Sequence, residues 1–311
     1  MEKILLSVVG PTAIGKTKLA IALARHFNTE IISADSRQFF KEMRIGTAVP
    51  SEEELQQAQH HFIQHISIFD SYSVGDFERD ALSLLEELFK KKNIVVMVGG
   101  SGLYTKAVTE GLDDFPKVDP VIREQLNENL KEKGIESLQN QLKELDPKYF
   151  ESVDLHNPHR IIRALEICIG TGLPYSSFLL KNKTQRPFKT ITIGIEAERS
   201  LIYDRINQRV DIMVSEGLIK EARQLEKHKE LNALQTVGYR ELFTYFEKES
   251  NESAIETDLV FAIEEIKKNT RRFAKRQLTW FKRNQETIWV SHNSDFQELI
   301  TTLHNIVPHE K

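Results

Sequence analysis

Near the N-terminus, Gly10-Pro11-Thr12-Ala13-Ile14-Gly15-Lys16-Thr17 has the residue types and spacing of a phosphate-binding loop. It follows a short apolar run and opens an apolar-periodic helix, the strand–loop–helix setting that the pattern requires. Its glycines let backbone N–H groups turn inward around phosphate oxygens, and the helix start adds positive dipole. Lys16 brings a mobile cation, and the Thr17 hydroxyl suits a magnesium ligand. These residues predict a phosphate or diphosphate site without naming the ligand.

Two further segments should reach the same place. Asp35-Ser36-Arg37-Gln38 follows a second strand, and Gly99-Gly100-Ser101-Gly102 follows a third. Ligands of an open parallel sheet sit at the carboxyl ends of its strands, so Asp35 is expected to face the loop. A carboxylate there can bind magnesium, act as a base on a second substrate, or cap a helix. Ser101 is a candidate hydroxyl donor. Arg205 and Arg209 are spaced i, i+4 on a helix whose buried stripe is Ile202, Ile206, Val210 and Met213. Two guanidiniums on one face can clamp a diphosphate, although a solvated charged face has the same spacing.

Charge distribution points to a second substrate. Net charge is −4, yet Lys267 to Arg283 holds eight Lys/Arg and no acid. In this stretch Arg271, Arg272, Lys275 and Arg276 interleave with Phe273, Gln277, Trp280 and Phe281, a composition suited to neutralising phosphates and stacking on bases. His159-Arg160-Ile161-Ile162-Arg163 is a second basic element. Adjacent His60 and His61 point apart and have no cysteine nearby, which argues against a metal site there.

The elements that must position these residues are readable. Apolar runs at Ile4–Val9, Glu30–Ser33, Ile94–Val98, Thr190–Ile195 and Ile288–Val290 predict strands buried on both faces. Helical patterns lie between them, two opening with capping boxes at Ser51–Glu54 and Ser73–Asp76. This alternation implies an α/β, doubly wound parallel sheet of the P-loop NTPase type. The rhythm breaks after about Asp114. Asp119-Pro120, Asp146-Pro147 and Asn157-Pro158 predict helix starts, Gly134 and Gly170 helix stops, and polar Lys181–Pro187 a return to the sheet. An all-helical domain (114–186) inserted into a catalytic core (1–113 and 187–311) is expected.

Bulk composition bounds the setting. Hydrophobic residues make up 40% and charged residues 28% of the 311, as in soluble globular proteins. The single cysteine, Cys168, excludes an intramolecular disulfide and a cysteine-based zinc site. No apolar run approaches the ~20 residues of a membrane span. A cytoplasmic, membrane-free protein is expected.

Taken in order, these motifs resemble the tRNA dimethylallyltransferase (isopentenyltransferase) family. The resemblance runs through GPTAIGKT at Gly10, DSRQ at Asp35, IGTA at Ile45, HHFI at His60, YSVGDFERDA at Tyr72, GGSGLY at Gly99, PHRIIRALE at Pro158, VGYREL at Val237 and RRFAKRQLTWF at Arg271. It implies a magnesium-dependent, monomeric enzyme that transfers the prenyl group of dimethylallyl diphosphate to an adenosine beside the anticodon of tRNA. The ATP-like phosphate loop, residues 10–17 with Arg209, would hold the diphosphate and Thr17 the magnesium. Asp35 would be the general base, and Ser101 and Arg205 would stabilise the bridging oxygen. The tRNA anticodon stem-loop would meet Asp35, Ser36, Arg37, Gln38, Ser101, Arg123, His159, Arg160, Ile161, Ile162, Arg163, Val237, Gly238, Tyr239 and Arg240, with the basic helix alongside. Three positions depart from the family pattern: Ile14 for a small residue, Ser101 for threonine, and Val49 for lysine. Two other readings share parts of this sequence. A small-metabolite kinase would use the same loop and magnesium, and a non-catalytic RNA-binding module would use the basic helix.

Overall fold

The computed structural model describes residues 2–179, 184–250 and 256–306; Lys181–Lys183, the start of the polar return to the sheet, lie outside them. The chain divides into two compact units, Met1–Thr109 with Arg186–Lys311, and Glu110–Gln185.

The first unit opens with β1 (Ile4–Val9), α1 (Lys16–His26), β2 (Ile31–Ser33), α2 (Glu52–Gln57), β3 (His60–His61), α3 (Val74–Lys91), β4 (Ile94–Gly99) and α4 (Gly102–Glu110). The second unit contributes α5 (Pro120–Leu145), α6 (Pro147–Phe150) and α7 (Pro158–Thr171). The first then resumes with β5 (Lys189–Glu196), α8 (Arg199–Glu216), α9 (Leu218–Leu225), α10 (Tyr239–Ser250), α11 (Glu256–Phe281), β6 (Ile288–Ser291) and α12 (Phe296–Ile306).

The strands form one sheet of order β3-β2-β4-β1-β5-β6, and every neighbouring pair is parallel. β1 and β4 are apolar throughout or nearly so because each face is covered. Ile4, Leu6 and Val8 pack with α1, α8 and α12, while Leu5, Val95 and Met97 pack with α3. A third apolar cluster joins α9, α10 and α11 to Met43 and Ile68. Sequence periodicity does not reveal β3, whose two histidines carry no β-run signal. It pairs with β2 at the sheet edge, and His61 Nε2 lies 2.6 Å from a Glu30 carboxylate oxygen.

The capping signals translate directly into helix starts. Ser51 and Ser73 close capping boxes, and Asp119, Asp146 and Asn157 accept backbone N–H bonds ahead of their prolines. Gly134, at φ +74°, breaks α5 into two helical pieces. Gly170 does not stop α7. The helix runs to Thr171 and Gly172 takes the left-handed cap position. Gly170 instead permits a close approach, since a Cβ there would stand 2.4 Å from Val118 Cγ1. The helical unit has its own core of Leu126, Leu138, Leu142, Ile161, Ile162 and Leu165.

Tight packing at the end of β4 generates a test. A Cβ on Gly99 would meet the Ala34 carbonyl oxygen at 2.5 Å and its carbon at 2.6 Å, both backbone atoms that cannot rotate away. Gly99→Ala should therefore destabilise the protein by about 1–3 kcal/mol in urea unfolding. An unchanged midpoint would show that β2 and β4 can part at no cost.

Candidate active site

The loop between β1 and α1 is shaped by backbone conformations that side chains resist. Gly10 (φ +147°) lies so close to β5 that a Cβ would stand 2.9 Å from the Ile195 carbonyl, and Gly15 (φ +104°) heads α1. No side chain caps that helix and no acid lies in its first turn. Its amides therefore keep their positive potential for a ligand. Lys16 Nζ donates to the Pro11 carbonyl at 2.8 Å, curling over the loop. Burial lowers the Lys16 pKa from 10.5 to about 8, with Asp35 opposing the shift and Arg209 adding to it.

A cavity of about 300 Å³ opens against this loop, lined by residues Thr12 to Lys18 together with Ser33, Asp35, Gln38 and Arg209. A second, of about 270 Å³, has apolar walls from Ile206, Val210, Met213 and Phe273 and polar ones from Arg37, Thr270 and Arg276. Thr12, Asp35, Thr47, Ala48 and Arg209 line both. Asp35 thus faces the loop between β1 and α1 on one side and a mixed polar–apolar space on the other. Its Oδ1 accepts the Arg37 N–H at 3.3 Å.

Ser101 and Arg205 stand further back. Ser101 Oγ accepts the Ser36 N–H at 3.1 Å and lies 3.0 Å from Ser36 Oγ, which braces the Asp35 strap against the turn after β4. Arg205 donates to the Ile14 carbonyl at 3.3 Å and supports the phosphate loop, while Arg209, one turn later, lines both cavities. Burial pulls Arg37 and Arg209 below the ordinary arginine range, and Asp35 works against both shifts.

The segment 44–48 is held by a polar brace. The Glu221 carboxylate accepts the N–H groups of Arg44, Ile45 and Gly46 and the Tyr239 hydroxyl, all within 3.0 Å. Gly46 leaves room for the tyrosine ring, which a Cβ would approach to 2.7 Å. In turn, Gln38 Nε2 donates to the carbonyls of Ala48 (2.8 Å) and Thr47 (3.3 Å). This corrects the expectation for Tyr239. Its side chain is fully buried and its hydroxyl committed to Glu221, so the side chain orders the loop and is not displayed at the surface. Val237, Gly238 and Arg240 do line the second cavity.

The basic helix α11 splits into two parts. Lys267 pairs with Asp211 and Glu264, and Lys268 with Glu265, so that end is locally neutralised. Arg271 is engaged by Asn207 Oδ1 and lies 5.9 Å from the Tyr203 ring. Arg272, Lys275 and Arg276 are exposed, and Arg276 also borders the second cavity. Trp280 is half-buried against Gly102, with Arg283 5.7 Å over its ring. Gln277 and Phe281 are buried. The sequence presents Gln277 only as one member of the aromatic side of the helix, whereas its amide bonds both the Thr12 N–H and the Gly100 carbonyl. A lone amide within an apolar stripe is the signal that points to such a role.

In the helical unit, Glu166 is nearly buried and accepts from both Arg123 and Arg163, and Arg163 lies 5.3 Å over the Phe115 ring. His159 and Arg160 are exposed. Ile161 and Ile162 are core residues and not surface ones, and they fix the helix that displays their neighbours.

Comparison with known proteins decides the family, since residues 38–284 match the family model described as IPP transferase. The chain belongs to the IPP transferase family. A tRNA dimethylallyltransferase of Christiangramia forsetii is 62% identical over 299 residues, covering 96% of this chain and 97% of that protein. The crystal structure of a full-length tRNA isopentenylpyrophosphate transferase from Bacillus halodurans superposes with a TM-score of 0.70 at 37% identity, covering 98% and 95% of the two chains. A eukaryotic dimethylallyltransferase acting on tRNA shares the fold, with a TM-score of 0.79 at 22% identity, covering 99% of this chain and 81% of that one. As in other P-loop folds, the IPP transferase sheet gathers its polar residues at the carboxyl ends of the strands.

The Lys16 environment should make diphosphate binding at this loop pH-dependent. In the free protein Lys16 loses its proton near pH 8, whereas a bound diphosphate favours the ammonium. Binding must therefore take up a proton above that pH, and affinity must fall as pH rises. Calorimetric titration with inorganic diphosphate between about pH 7 and 9.5 tests this, with Lys16→Ala as the reference for ionisation of the ligand itself. Wild-type affinity relative to the variant should drop by up to about tenfold per pH unit beyond 8. A constant ratio would mean that Lys16 does not face the ligand.

Proposed function

We propose that this protein transfers a dimethylallyl group from dimethylallyl diphosphate to N6 of the adenosine on the 3′ side of a tRNA anticodon, position 37, releasing diphosphate. The observation that carries the reading is the place of Asp35 in the wall shared by two cavities, one lined by Thr12 to Lys18 and one with mixed polar and apolar walls. The family membership and the relatives' names support it over a small-metabolite kinase, which also leaves the second cavity and the exposed cations of α11 without a purpose.

In this reading the loop amides, Lys16 and Arg209 hold the donor's diphosphate. Breaking the allylic C–O bond adds negative charge to that leaving group, so fixed amides and buried cations act most strongly in the transition state. The adenine N6 lone pair forms the new N–C bond, and its proton passes to the Asp35 carboxylate as the amine becomes acidic. The base must first leave the anticodon stack, which costs a few kcal/mol. Ser101 and Arg205, through Ser36 and the Ile14 carbonyl, support the two sides of this arrangement, and in this reading they would stabilise the bridging oxygen.

Magnesium fits the donor set. Among the described residues no group of three or more His, Cys, Asp or Glu forms a protein-only cage. Mg²⁺ commonly takes only one or two protein oxygens and completes its shell with phosphates and water, so a single hydroxyl beside a diphosphate would suffice. Thr17, at the start of α1 in the first cavity, would be the protein ligand, and the bound ion would supply added charge for the leaving diphosphate.

In the sheet unit Ser36, Arg37, Val237, Gly238 and Arg240 with Arg272, Lys275, Arg276 and Trp280 would meet tRNA, and the helical unit, taken by itself, would offer Arg123, His159, Arg160 and Arg163. Among the described residues no helix is long and apolar enough to cross a membrane; the relatives' tRNA substrate supports a cytoplasmic setting.

Nucleoside mass spectrometry of unmodified tRNA incubated with enzyme, magnesium and dimethylallyl diphosphate should reveal prenylated adenosine. Absence of that product would overturn the assignment. Asp35→Asn should then slow single-turnover prenylation by roughly 10²- to 10⁴-fold while leaving donor affinity nearly intact. A near wild-type rate would remove Asp35 as the base, and loss of donor binding would make it a phosphate-site residue instead.

Neutralising Arg272 and Lys275 should weaken cognate and non-cognate tRNA alike. It should also lower the salt slope by about 0.7 to 0.9 for each phosphate no longer neutralised. If the slope of log affinity against log salt stays the same, these two side chains are merely solvated.

A further inference from the structure

Gln277 is a buried amide near the end of α11, set between Ala274 and Phe281. Both ends of its side chain are used. Oε1 accepts the Thr12 N–H at 2.9 Å, and Nε2 donates to the Gly100 carbonyl at 2.9 Å. Thr12 belongs to the phosphate loop and lines both cavities, whereas Gly100 precedes Ser101 in the turn after β4. One side chain from a distant helix therefore fastens the two segments that flank Asp35.

The glycines of that turn are explained by the same helix. A Cβ on Gly100 would stand 2.3 Å from Gln277 Nε2 and 3.7 Å from Asp35 Oδ2. One on Gly102 would stand 2.2 Å from Trp280 Cδ1. The turn is bare because α11 occupies the space. An amide is also the fitting group. A carboxylate can only accept, an ammonium can only donate, and a partnerless N–H or C=O at this depth costs more than the bond it forgoes.

We propose that Gln277 is a positioning residue for the transfer reaction: it fixes the Thr12 end of the phosphate loop and the Gly100 turn relative to each other, and so sets the distance between diphosphate and Asp35. The Thr12 N–H is thereby withdrawn from phosphate binding, leaving that work to the amides from Ala13 onward. This inference rests on the prenyl-transfer reading of the same site.

A double-mutant cycle between Gln277→Ala and Gly100→Ala tests it. Gln277→Ala should lower affinity for inorganic diphosphate and the single-turnover prenylation rate, together by roughly 10- to 100-fold, with tRNA affinity unchanged. Gly100→Ala should produce a similar loss, because its methyl group displaces the amide. The double variant should be no worse than Gln277→Ala, since no amide remains to displace. A purely structural role would instead lower thermal stability while leaving the diphosphate affinity of the folded protein unchanged. Gln277→Glu adds a readout that packing cannot imitate. Only its protonated carboxyl can donate to the Gly100 carbonyl, so its donor affinity relative to wild type should improve as pH falls through the carboxyl titration. Wild-type diphosphate affinity in Gln277→Ala, or additive losses in the double variant, would overturn the proposal. The diphosphate arm needs no catalysis, so it stays decisive even if prenyl transfer itself is not observed.

Discussion

A parallel strand bonded along both edges cannot slip by one residue without exchanging its two faces. β1 is bonded in this way, to β4 on one side and β5 on the other, with Val9 opposite Gly99 and Gly194. Because both faces are apolar and covered, the register is strongly enforced and the chain must leave the sheet at Gly10. There it lies against the Ile195 carbonyl with no room for a side chain. The phosphate loop, the Asp35 strap and the Gly99–Gly102 turn inherit their relative positions from that alignment.

What the sheet aligns, buried and half-buried polar groups hold still. Glu221 collects three backbone N–H groups and a phenol, and Gln277 bridges two loops with one amide. These bonds differ in kind from surface ion pairs such as Arg44–Glu52, where both side chains are more than half exposed. An exposed pair contributes about 0–1 kcal/mol, whereas leaving one buried donor or acceptor unmet costs about 1–3. Precision around Asp35 therefore comes from a few enclosed bonds and hardly at all from the many charges on the outside.

Which of these features can be read from the chain follows from their range. The phosphate loop, the capping boxes and the long apolar strands are local patterns, each complete within about ten residues, and each takes its expected form. β3 escapes because two residues at a sheet edge have no periodicity to detect. Gly170 misleads because a helix stop and a close helix crossing require the same residue, and only the presence of Val118 tells them apart. Tyr239 and Gln277 depend on partners far away in the chain. A motif that contains Tyr239 looks like a surface loop until Glu221 is seen beneath it. Likewise the basic stripe reads as uniform until Asp211, Glu264 and Glu265 are found paired with its first two lysines.

The interruption of the sheet unit also orders events during synthesis. β1 to β4 are complete before the helical unit begins, but the second edge of β1 is satisfied only by β5, which follows it. At ribosomal speeds the intervening segment takes on the order of 4 to 15 s to appear. With an apolar core of its own, the helical unit can condense in that interval. Throughout it, the middle of the future sheet carries an unpaired apolar edge, the kind of surface that nascent chains must keep from one another. The phosphate loop, translated first, is therefore among the last parts of the molecule to reach its final shape.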